Sequence, residues 1–357
     1  MQPWRIYGGI GNVAYYLTEA LMKRINLTRF PELGFRYPIE VIKVHQKFLA
    51  RGFSIVHFNL APSMIHYYFT PRWGDGSYFL LKYAKNLGVK TILNIHGITI
   101  LENEKHQLER FVASRTRVIA NASKQVDQII INAEHMRSKV ISAYGVDNEK
   151  IVIIPNGVNL DMFSKQNRKI FLSGDPAILF VGHVCWGKGI DVLLEAMVNI
   201  RNSLPNAKLH VVGTGLNGRA ELENIKHIVK QKHLENQVIF HGAVPHSRIP
   251  YYYKSAALCV LPSRHEGFPI TMLEAMASGV PFISSDIASF QEILKNGENA
   301  LFFKSEDAVS LSTAILRLCT DSTLREKIIQ GASKTVADFG WDRIADRYIS
   351  VYQDLCE

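Results

Sequence analysis

The stretch E-G-F-P-I-T-M-L-E, from Glu266 to Glu274, places two carboxylates eight positions apart on either side of a Gly-Phe-Pro turn. The apolar run at 256–261 just before it predicts a buried strand. After the turn, apolar residues recur at helical spacing until Gly279 ends the pattern; they are Ile270, Leu273 and Ala277. The sequence therefore predicts a strand, a tight loop that carries Glu266, and a helix that carries Glu274.

This arrangement puts both carboxylates at the carboxyl edge of a sheet, where open α/β folds bind their ligands. The N-terminus of the helix offers backbone N–H groups and the positive end of the helix dipole, and both suit a phosphate. An ionised carboxylate accepts several hydrogen bonds and therefore suits the hydroxyls of a sugar. Together these features predict a nucleotide-sugar site. The alternative is an ordinary surface loop and helix with solvated acidic residues.

The same segment resembles that of a known family. Together with LEAMASGVPFISSD (Leu273 to Asp286), it is similar to the E-x7-E signature of the retaining GT-B glycosyltransferases of family 4. PNGVNLDMF (Pro155 to Phe163) resembles the hinge between the two domains of these enzymes, and WDRIADRYISVYQDL (Trp341 to Leu355) resembles their terminal helix. The resemblance extends along nearly the whole chain. It implies two Rossmann-like domains that face a cleft, with the terminal helix crossing back to the N-terminal domain.

Apolar runs alternate with helical patterns along the chain, which indicates an α/β fold with parallel sheets and helical crossovers. The predicted strands of the first half are SIVHF (54–58), KTILNIH (90–96), RVIAN (117–121) and KIVIIP (150–155). Those of the second half are AILFVG (177–182), AKLHVVG (207–213), QVIFHG (237–242), ALCVLP (257–262), PFISSD (281–286) and ALFF (300–303). A length of 357 residues suits two domains. We predict an N-terminal domain at 1–157, completed by 338–357, and a C-terminal domain at 158–337.

The beginning of the chain departs from the family pattern. GGIGNVAYYLTEAL (Gly8 to Leu21) resembles the Gly-rich loop and first helix of the family, in which a buried strand precedes the loop. Here only MQPWRIY precedes it, a short segment that contains Pro3 and few apolar residues. We therefore expect the first strand to be short or missing.

Glycines mark two turns that are candidates for diphosphate contact, because a backbone without Cβ atoms can approach a phosphate closely. They are Gly9 and Gly11, at the start of the first predicted helix, and Gly213 and Gly215, after a predicted strand. The strings at 9–14 and 213–218 also match a dinucleotide-binding fingerprint. Neither is followed by a convincing acidic residue at a strand end about 20 residues on, which argues against a dehydrogenase.

The segment FVGHVCWGKGIDVLLEAM (Phe180 to Met197) predicts another strand, loop and helix. The strand ends at Gly182, and Lys188 lies in the loop, where its ammonium can neutralise a leaving diphosphate. Lys188 matches the lysine of the family, whereas His183 fills the position of the family's arginine. A neutral imidazole offers one donor instead of a bidentate cationic fork, so diphosphate binding should be weaker unless His183 is protonated. The alternative is that His183 makes no contact with the ligand.

His96 ends the predicted strand KTILNIH, and its position resembles that of the family's histidine near the reacting sugar. The alternative is a strand-end histidine with a structural role only. Because His96 and Gly9 belong to the other domain, the resemblance implies that catalysis requires domain closure. His57 is a weaker candidate at another strand end, and ordinary roles are assigned to the remaining histidines, such as His135 and His246.

The resemblance also implies roles for the residues of the opening segment. Glu274 would accept the ribose hydroxyls of the nucleotide, and Glu266 would hold hydroxyls of the donor sugar. The following backbone would contact the sugar and the phosphates, at Gly267, Phe268, Pro269 and Ile270. The implied mechanism acts on the front face of the sugar, and the leaving phosphate helps to deprotonate the acceptor.

The excess positive charge lies entirely in the first part of the chain. Residues 1–155 hold 20 Lys and Arg against 11 Asp and Glu (20 − 11 = +9), whereas residues 156–357 hold 21 of each. This asymmetry predicts attraction of the N-terminal domain to an anionic membrane or to a phosphate-bearing acceptor. A basic surface without a partner is the alternative. We expect no nucleic acid as a partner, since the sequence has no zinc finger, stacking motif or arginine-rich arm.

We expect no metal and no cofactor, since no D-x-D follows a strand and no His or Cys cluster is present. The four cysteines are scattered without a C-x-x-C motif, which suits a reducing compartment. Residues 1–30 do not have the pattern of a signal peptide, and no apolar run approaches the roughly 18 residues of a membrane helix. We therefore expect a cytoplasmic protein that can bind the inner face of a membrane.

The sequence thus predicts a retaining glycosyltransferase that moves a hexose-type sugar from a nucleotide-diphosphate sugar to a glycan or lipid-linked acceptor. Two alternatives stay open. One is a degenerate relative that acts as a binding subunit, which His183 and the unusual beginning of the chain motivate. The other is a different nucleotide-sugar enzyme of the same fold, such as an epimerase.

Overall fold

The structure is a computed structural model that describes residues 9–25, 54–60, 81, 84–96, 119–166, 168–215 and 219–357. Backbone contacts divide the chain into two compact units. The first consists of Met1–Asn156 and Trp341–Glu357, and the second consists of Gly157–Gly340. These divisions fall close to the domain boundaries at 157/158 and 337/338 that the sequence predicts.

The described part of the first unit contains a parallel sheet in the order β1-β2-β3-β4. The strands are β1 (Ile55–Leu60), β2 (Lys90–Ile95), β3 (Gln128–Ile131) and β4 (Ile151–Ile153). The predicted strands at 54–58, 90–96 and 150–155 correspond to β1, β2 and β4. Residues 91–95 of β2 are all buried, as expected for a central strand of a parallel sheet with both faces covered.

The strand predicted for RVIAN (117–121) is wrong. Residues 119–125 are helical, and β3 begins later, at Gln128. Three residues of this helical segment are buried at the i, i+3, i+4 spacing of one helix face: Ile119, Ala122 and Ser123. Because the apolar run RVIAN is short, it fits one turn of a buried helix as well as it fits a strand.

The terminal helix Trp341–Cys356 packs on the first helix, Gly9–Met22. Arg24, just beyond the first helix, forms ion pairs with Asp342 at 2.9 Å and with Asp346 at 3.1 Å. The terminal helix therefore belongs to the first unit, which also contains the helix Arg137–Tyr144. The expectation of a short or missing first strand concerns residues 1–8, which lie outside the described residues.

The second unit contains a six-stranded parallel sheet in the order β10-β9-β8-β5-β6-β7. The strands are β5 (Ala177–Val181), β6 (Lys208–Val212), β7 (Val238–Gly242), β8 (Leu258–Leu261), β9 (Phe282–Ser285) and β10 (Leu301–Phe303). The helices are Leu160–Ser164, Ile190–Ile200, Arg219–Gln231, Ile249–Ser255, Ile270–Ser278, Ala288–Gln291, Ala308–Thr320 and Ser322–Val336. All six strands predicted for this half of the sequence are present.

The strand order of the second sheet reverses between β5 and β8. From β5 the chain proceeds outward to β6 and β7, then returns to β8 beside β5 and continues to β9 and β10. Open α/β sheets bind their ligands at the carboxyl ends of the strands at such a reversal. The loops that follow β5 and β8 are the ones that carry Lys188 and Glu266, so the fold brings the two predicted motifs to one point.

Candidate functional site

The loops after β5 and β8 approach each other closely at this reversal. The backbone N–H of Arg264 donates to the carbonyl of Gly187 at 3.0 Å. Gly189 has a φ of 65°, and a Cβ at this position would lie 1.9 Å from the carbonyl oxygen of Pro262. Only glycine allows both the left-handed backbone and the close approach. Lys188, the residue before this glycine, is thereby held next to the loop after β8.

Lys188 and Glu266 form an ion pair in which Nζ donates to Oε1 at 2.6 Å. The Glu266 side chain is 8% exposed and that of Lys188 is 25% exposed, so the pair is largely shielded from water. The Ser263 hydroxyl also donates to Oε1 of Glu266, at 2.7 Å, and the Ser285 hydroxyl donates to the Ser263 carbonyl at 2.5 Å. A chain of hydrogen bonds from the end of β9 thus fixes the Glu266 carboxylate beside the ammonium.

Glu274 lies in the second turn of the helix Ile270–Ser278 and is buried. Its Oε1 accepts a hydrogen bond from His246 Nε2 at 2.6 Å. The Tyr253 hydroxyl lies 3.4 Å from Oε2 and 3.3 Å from the Thr271 carbonyl, so it shares its proton between them. Burial raises the pKa of Tyr253, and the neighbouring Glu274 charge adds to this shift, so Tyr253 is a neutral donor. The carboxylate is therefore held at both oxygens by side chains that precede it in the sequence.

The N-terminus of the same helix has the features expected of a phosphate site. The helix begins at Ile270 after Pro269, with no side-chain cap and no acidic residue in its first turn. The first N–H groups of a helix have no partner within the helix, and the dipole makes this end positive. Gly267, Phe268 and Pro269 form the loop before it, with Phe268 packed against Phe339 at a ring distance of 6.3 Å. Their contacts with sugar and phosphates stay predictions.

His183 lies in the loop after β5 and is half-buried. Burial lowers the pKa of His183, and the nearby Lys188 charge lowers it further, although a backbone hydrogen bond with Thr214 and the carboxylates of Glu221 and Glu266 oppose the shift. The imidazole is therefore neutral near pH 7. The contact of His183 with a diphosphate stays a prediction.

The glycines at the ends of β5 and β6 have a packing role. Gly213 has a φ of 143°, and a Cβ there would lie 1.8 Å from the carbonyl oxygen of Gly182. The two strand ends are thus in backbone contact, which requires glycine at position 213. Gly215 lies in the loop that follows, before residues 216–218, which are outside the described residues. In the first unit, Gly9 and Gly11 lie in the first turn of the helix Gly9–Met22.

Arg264 links the parts of this region, and its role is not evident from the sequence. Its guanidinium forms a bidentate pair with Asp191, both contacts at 2.8 Å, and its Nε donates to Glu306 at 2.7 Å. It also donates to the Trp186 carbonyl at 2.7 Å and lies 4.4 Å from the centre of the Trp186 ring. Arg264 therefore joins the loop after β5, the start of the next helix and the segment after β10.

We expect Arg264→Met to lower the free energy of unfolding of the second unit by about 2 kcal/mol, the scale of hydrogen bonds to charged groups with partial solvent exposure. The Arg264 side chain is 8% exposed, but those of Asp191 and Glu306 are 33% and 61% exposed, which limits the loss. Urea denaturation measures the effect. The free energy of unfolding of Arg264→Lys should lie between those of wild type and Arg264→Met, because lysine keeps the positive charge but cannot form the bidentate pair. A methionine variant as stable as wild type would contradict this role.

His96 lies at the end of β2 in the first unit and is buried. Burial lowers the pKa of His96 to about 4, although hydrogen bonds with Asn132 and Asn156 oppose the shift. Burial also lowers the pKa of His57 to about 3, with a further contribution from His96. His57 Nδ1 lies 2.7 Å from the hydroxyl of Tyr352 in the terminal helix. Both histidines are therefore neutral near pH 7, and His57 connects the first sheet to that helix.

These two pKa values predict acid sensitivity of the first unit. Between pH 6.5 and about 4 the unfolded chain takes up protons at both histidines while the folded unit does not, so stability is full above pH 6.5 and falls below it. Each histidine should lower the free energy of unfolding by roughly 1 kcal/mol for each unit by which the pH falls in this range. Hydrogen exchange of the β2 and β3 amides at pH 7, 6 and 5, corrected for intrinsic rates, measures the effect. In the variant His57→Phe, stability should depend less steeply on pH, and an unchanged pH dependence would refute the assignment.

The sequence predicts site roles for Glu266, Glu274 and Lys188, but it gives His246 an ordinary role and assigns none to Ser263 or Arg264. Ser263 and Arg264 lie three and two positions before Glu266 in the stretch PSRHEGFP, and their position in a predicted site loop is a usable signal. His246 lies 28 positions before Glu274 in another loop, so no local pattern connects the two. The catalytic and binding roles of the predicted residues stay predictions.

Two classes of feature are absent from the described parts of the chain. No group of three or more His, Cys, Asp or Glu side chains there is arranged to hold a metal ion. None of the helices in those parts has the length and apolar character that crossing a membrane requires.

Solved structures define the class to which this architecture belongs. A sucrose-phosphate synthase from Thermosynechococcus elongatus superimposes with a TM-score of 0.78 over 98% of this chain and 94% of that chain, at 22% identity. The Anabaena protein HepE, solved with UDP and glucose, superimposes with a TM-score of 0.72 over 92% of this chain and 84% of that chain, at 17% identity. At these identities the likeness concerns the fold, which is that of the GT-B class, as the sequence predicts.

Sequence comparisons then identify the family. The family model described as Glycosyl transferases group 1 matches residues 162–335, and the one described as Glycosyltransferase Family 4 matches residues 7–162. The chain belongs to the family 4 glycosyltransferases. An uncharacterized glycosyltransferase of Methanocaldococcus jannaschii is 33% identical over 241 residues, which cover 64% of this chain and 60% of the relative. The chain spans about three fifths of the length of the curated relatives that it matches.

Proposed function

We propose that this chain transfers a hexose-type sugar from a nucleotide-diphosphate sugar to a glycan or lipid-linked acceptor, with retention of anomeric configuration. The observation that carries the proposal is the grouping at the reversal of the second sheet. One ammonium, Lys188, and one shielded carboxylate, Glu266, are paired there, and a second buried carboxylate, Glu274, lies in the helix that follows. These groups match the three parts of a nucleotide sugar: the diphosphate, the sugar and the ribose.

In this proposal the donor is bound along the loop after β8 and the helix Ile270–Ser278. Glu274 accepts the ribose hydroxyls, the helix N-terminus and Lys188 face the diphosphate, and Glu266 holds hydroxyls of the sugar. The family supports this arrangement, and the UDP and glucose bound to the related fold of HepE are consistent with it. We propose that no metal is needed, because Lys188 and the helix dipole supply positive charge at the diphosphate.

The proposed reaction takes place on one face of the sugar. The bond from the anomeric carbon to the diphosphate oxygen breaks, and the acceptor oxygen forms a new bond to the same carbon from the same side. Because attack and departure take place on the same face, the configuration is retained. The acceptor proton passes to an oxygen of the leaving phosphate, so the charge balances. Lys188 stabilises the negative charge that grows on the diphosphate, an interaction that is strongest as the bond breaks. Glu266 is already hydrogen-bonded by Lys188 and Ser263, which suits a holding role better than nucleophilic attack.

We propose His96 as the residue of the first unit that contacts the reacting sugar. Its imidazole is neutral, so a contact with a sugar hydroxyl adds no charge to the site. The family resemblance and the position of His96 at the carboxyl end of β2 support this role.

The acceptor is proposed to lie at an anionic membrane surface, because all the excess positive charge belongs to residues 1–155. Of the basic residues near the first helix, Arg24 is already paired with Asp342 and Asp346 and contributes little net attraction. Co-sedimentation with anionic vesicles at increasing salt tests the idea. Binding at low salt that decreases as salt rises is expected, and no binding at low salt would end this part of the proposal.

A two-stage experiment tests the proposed function. A thermal-shift screen against UDP-, GDP- and ADP-sugars should reveal one donor that raises the melting temperature. A ligand that binds only the native protein stabilises that protein by RT ln(1 + [L]/Kd). NMR of the reaction with that donor and candidate acceptors should then show a product with the donor's anomeric configuration. Donor binding without hydrolysis or transfer would favour the degenerate binding subunit. Conversion of the sugar without any acceptor would favour an epimerase, and inversion would overturn the retaining mechanism.

A further inference from the structure

We propose that His246 is a positioning residue that holds the Glu274 carboxylate in the orientation that binds the ribose diol of the donor. This inference rests on the proposed function, and it gives a role in the site to a residue for which the sequence predicts only an ordinary one. It stands on the direct contact between the two side chains and on the way in which His246 is itself supported.

The contact between them is short and largely shielded from solvent. His246 Nε2 lies 2.6 Å from Glu274 Oε1, and the two side chains are 21% and 8% exposed. A carboxylate oxygen only accepts, so Nε2 carries the proton and donates. Charge-assisted hydrogen bonds of this length are about twice as strong as neutral ones. The contact therefore restricts the rotation of a long, flexible glutamate side chain.

A second donor completes the orientation. The Tyr253 hydroxyl lies 3.4 Å from the other oxygen, Oε2, and 3.3 Å from the Thr271 carbonyl, so its proton is shared between the two acceptors. A carboxylate has about four acceptor positions, so two protein donors leave capacity for the two hydroxyls of a ribose. With one oxygen directed by His246 and the other by Tyr253, the plane of the carboxylate is defined before the nucleotide binds. Such preorganisation lowers the entropic cost of binding.

One aromatic side chain supports both donors. Phe163, which is fully buried, packs edge-to-face on the His246 ring at 5.6 Å and on the Tyr253 ring at 6.1 Å. Phe163 belongs to the short helix Leu160–Ser164, whereas His246 begins the 3-10 turn His246–Arg248. The short helix that carries Phe163 thus packs on both side chains that contact the Glu274 carboxylate, which is the arrangement expected of a binding group that must be held in place.

The test compares two ligands that differ only in the ribose hydroxyls. The probe is whichever of UDP, GDP and ADP the wild-type protein binds most tightly, together with its 2′,3′-dideoxy counterpart, measured by titration calorimetry. His246→Phe keeps a ring against Phe163 but removes the donor. We expect it to weaken binding of the ribonucleotide by about tenfold, equivalent to about 1.4 kcal/mol, and to change binding of the dideoxynucleotide by less than about twofold. His246→Gln keeps a donor and should recover most of the loss.

Each other outcome overturns the inference in a recognisable way. An equal loss for both ligands means that His246 has only a general structural role, and no loss for either means that the contact does not matter for binding. If wild type binds the dideoxynucleotide as tightly as the ribonucleotide, Glu274 does not bind the ribose hydroxyls, although the protein still binds the nucleotide. If wild type binds none of the three diphosphates, the proposed function itself fails. Urea denaturation of both variants, with midpoints near that of wild type, verifies that they fold.

Discussion

Replacing Lys188 with alanine is expected to lower the turnover number by about 10²–10³-fold while changing the dissociation constant of the nucleotide sugar by much less. The ammonium is proposed to neutralise charge that appears only as the bond to the diphosphate breaks, so its removal affects the transition state more than the ground state. The variant also leaves Glu266, 8% exposed and normally paired at 2.6 Å, beside a dianionic leaving group. Steady-state kinetics together with titration of the donor separates the two effects.

Two further variants sharpen this prediction. Lys188→Arg keeps the positive charge but changes its reach, and it should retain more activity than Lys188→Ala. Lys165→Ala is a control for the general loss of a lysine, because Lys165 is exposed and its ion pair with Asp161, at 2.7 Å, involves none of the proposed site residues. Equal turnover in Lys188→Ala and Lys165→Ala would show that Lys188 does not act on the diphosphate.

Replacing Glu274 with alanine should weaken binding of the nucleotide sugar by about 2 kcal/mol or more, which is roughly 30-fold in the dissociation constant. The carboxylate is buried and is hydrogen-bonded by His246 and Tyr253, so its loss removes the acceptor for the ribose together with these two contacts. Titration calorimetry with the nucleotide sugar measures the change. The loss should appear in affinity, since the ribose is bound equally before and during the reaction.

The matched control for this change is Glu274→Gln, which keeps the shape and one acceptor oxygen but not the charge. Its affinity should fall between those of wild type and Glu274→Ala, because a neutral acceptor makes weaker hydrogen bonds. Unchanged affinity and turnover in Glu274→Ala would refute the assignment of this residue to the ribose. The urea midpoint of each variant should be measured in parallel, because Glu274 also contributes to packing of its helix.

The fold of the second unit is well predicted by the sequence, and there is a physical reason. Each of its six strands is a short apolar run between turn residues, as in the fully buried β5 and β8. The fold of the first unit is harder to predict, because the run RVIAN suits a buried turn of helix as well as a strand. Periodicity alone does not separate these two in so short a segment. The strand at Gln128–Ile131, a separate apolar run, was not predicted.

In the site, too, the residues that follow from a local sequence pattern are predicted, and those brought in by distant contacts are not. Lys188, Glu266 and Glu274 lie in segments whose local pattern of strand, loop and helix shows that they reach one sheet edge. The supporting residues come from elsewhere in the chain: His246 from the turn after β7, and Asp191 and Glu306 on either side of Arg264. Such pairings depend on tertiary packing, which a single sequence does not reveal. The neutrality of His96 and His57 likewise follows from their burial and not from their positions.

A crystal structure of the chain with the nucleotide sugar found by the thermal screen tests the central claim most directly. We predict ribose hydroxyls within about 3.2 Å of the Glu274 carboxylate, the diphosphate at the N-terminus of the helix Ile270–Ser278 in contact with Lys188, and sugar hydroxyls on Glu266. A nucleotide sugar bound away from these three side chains would contradict the account.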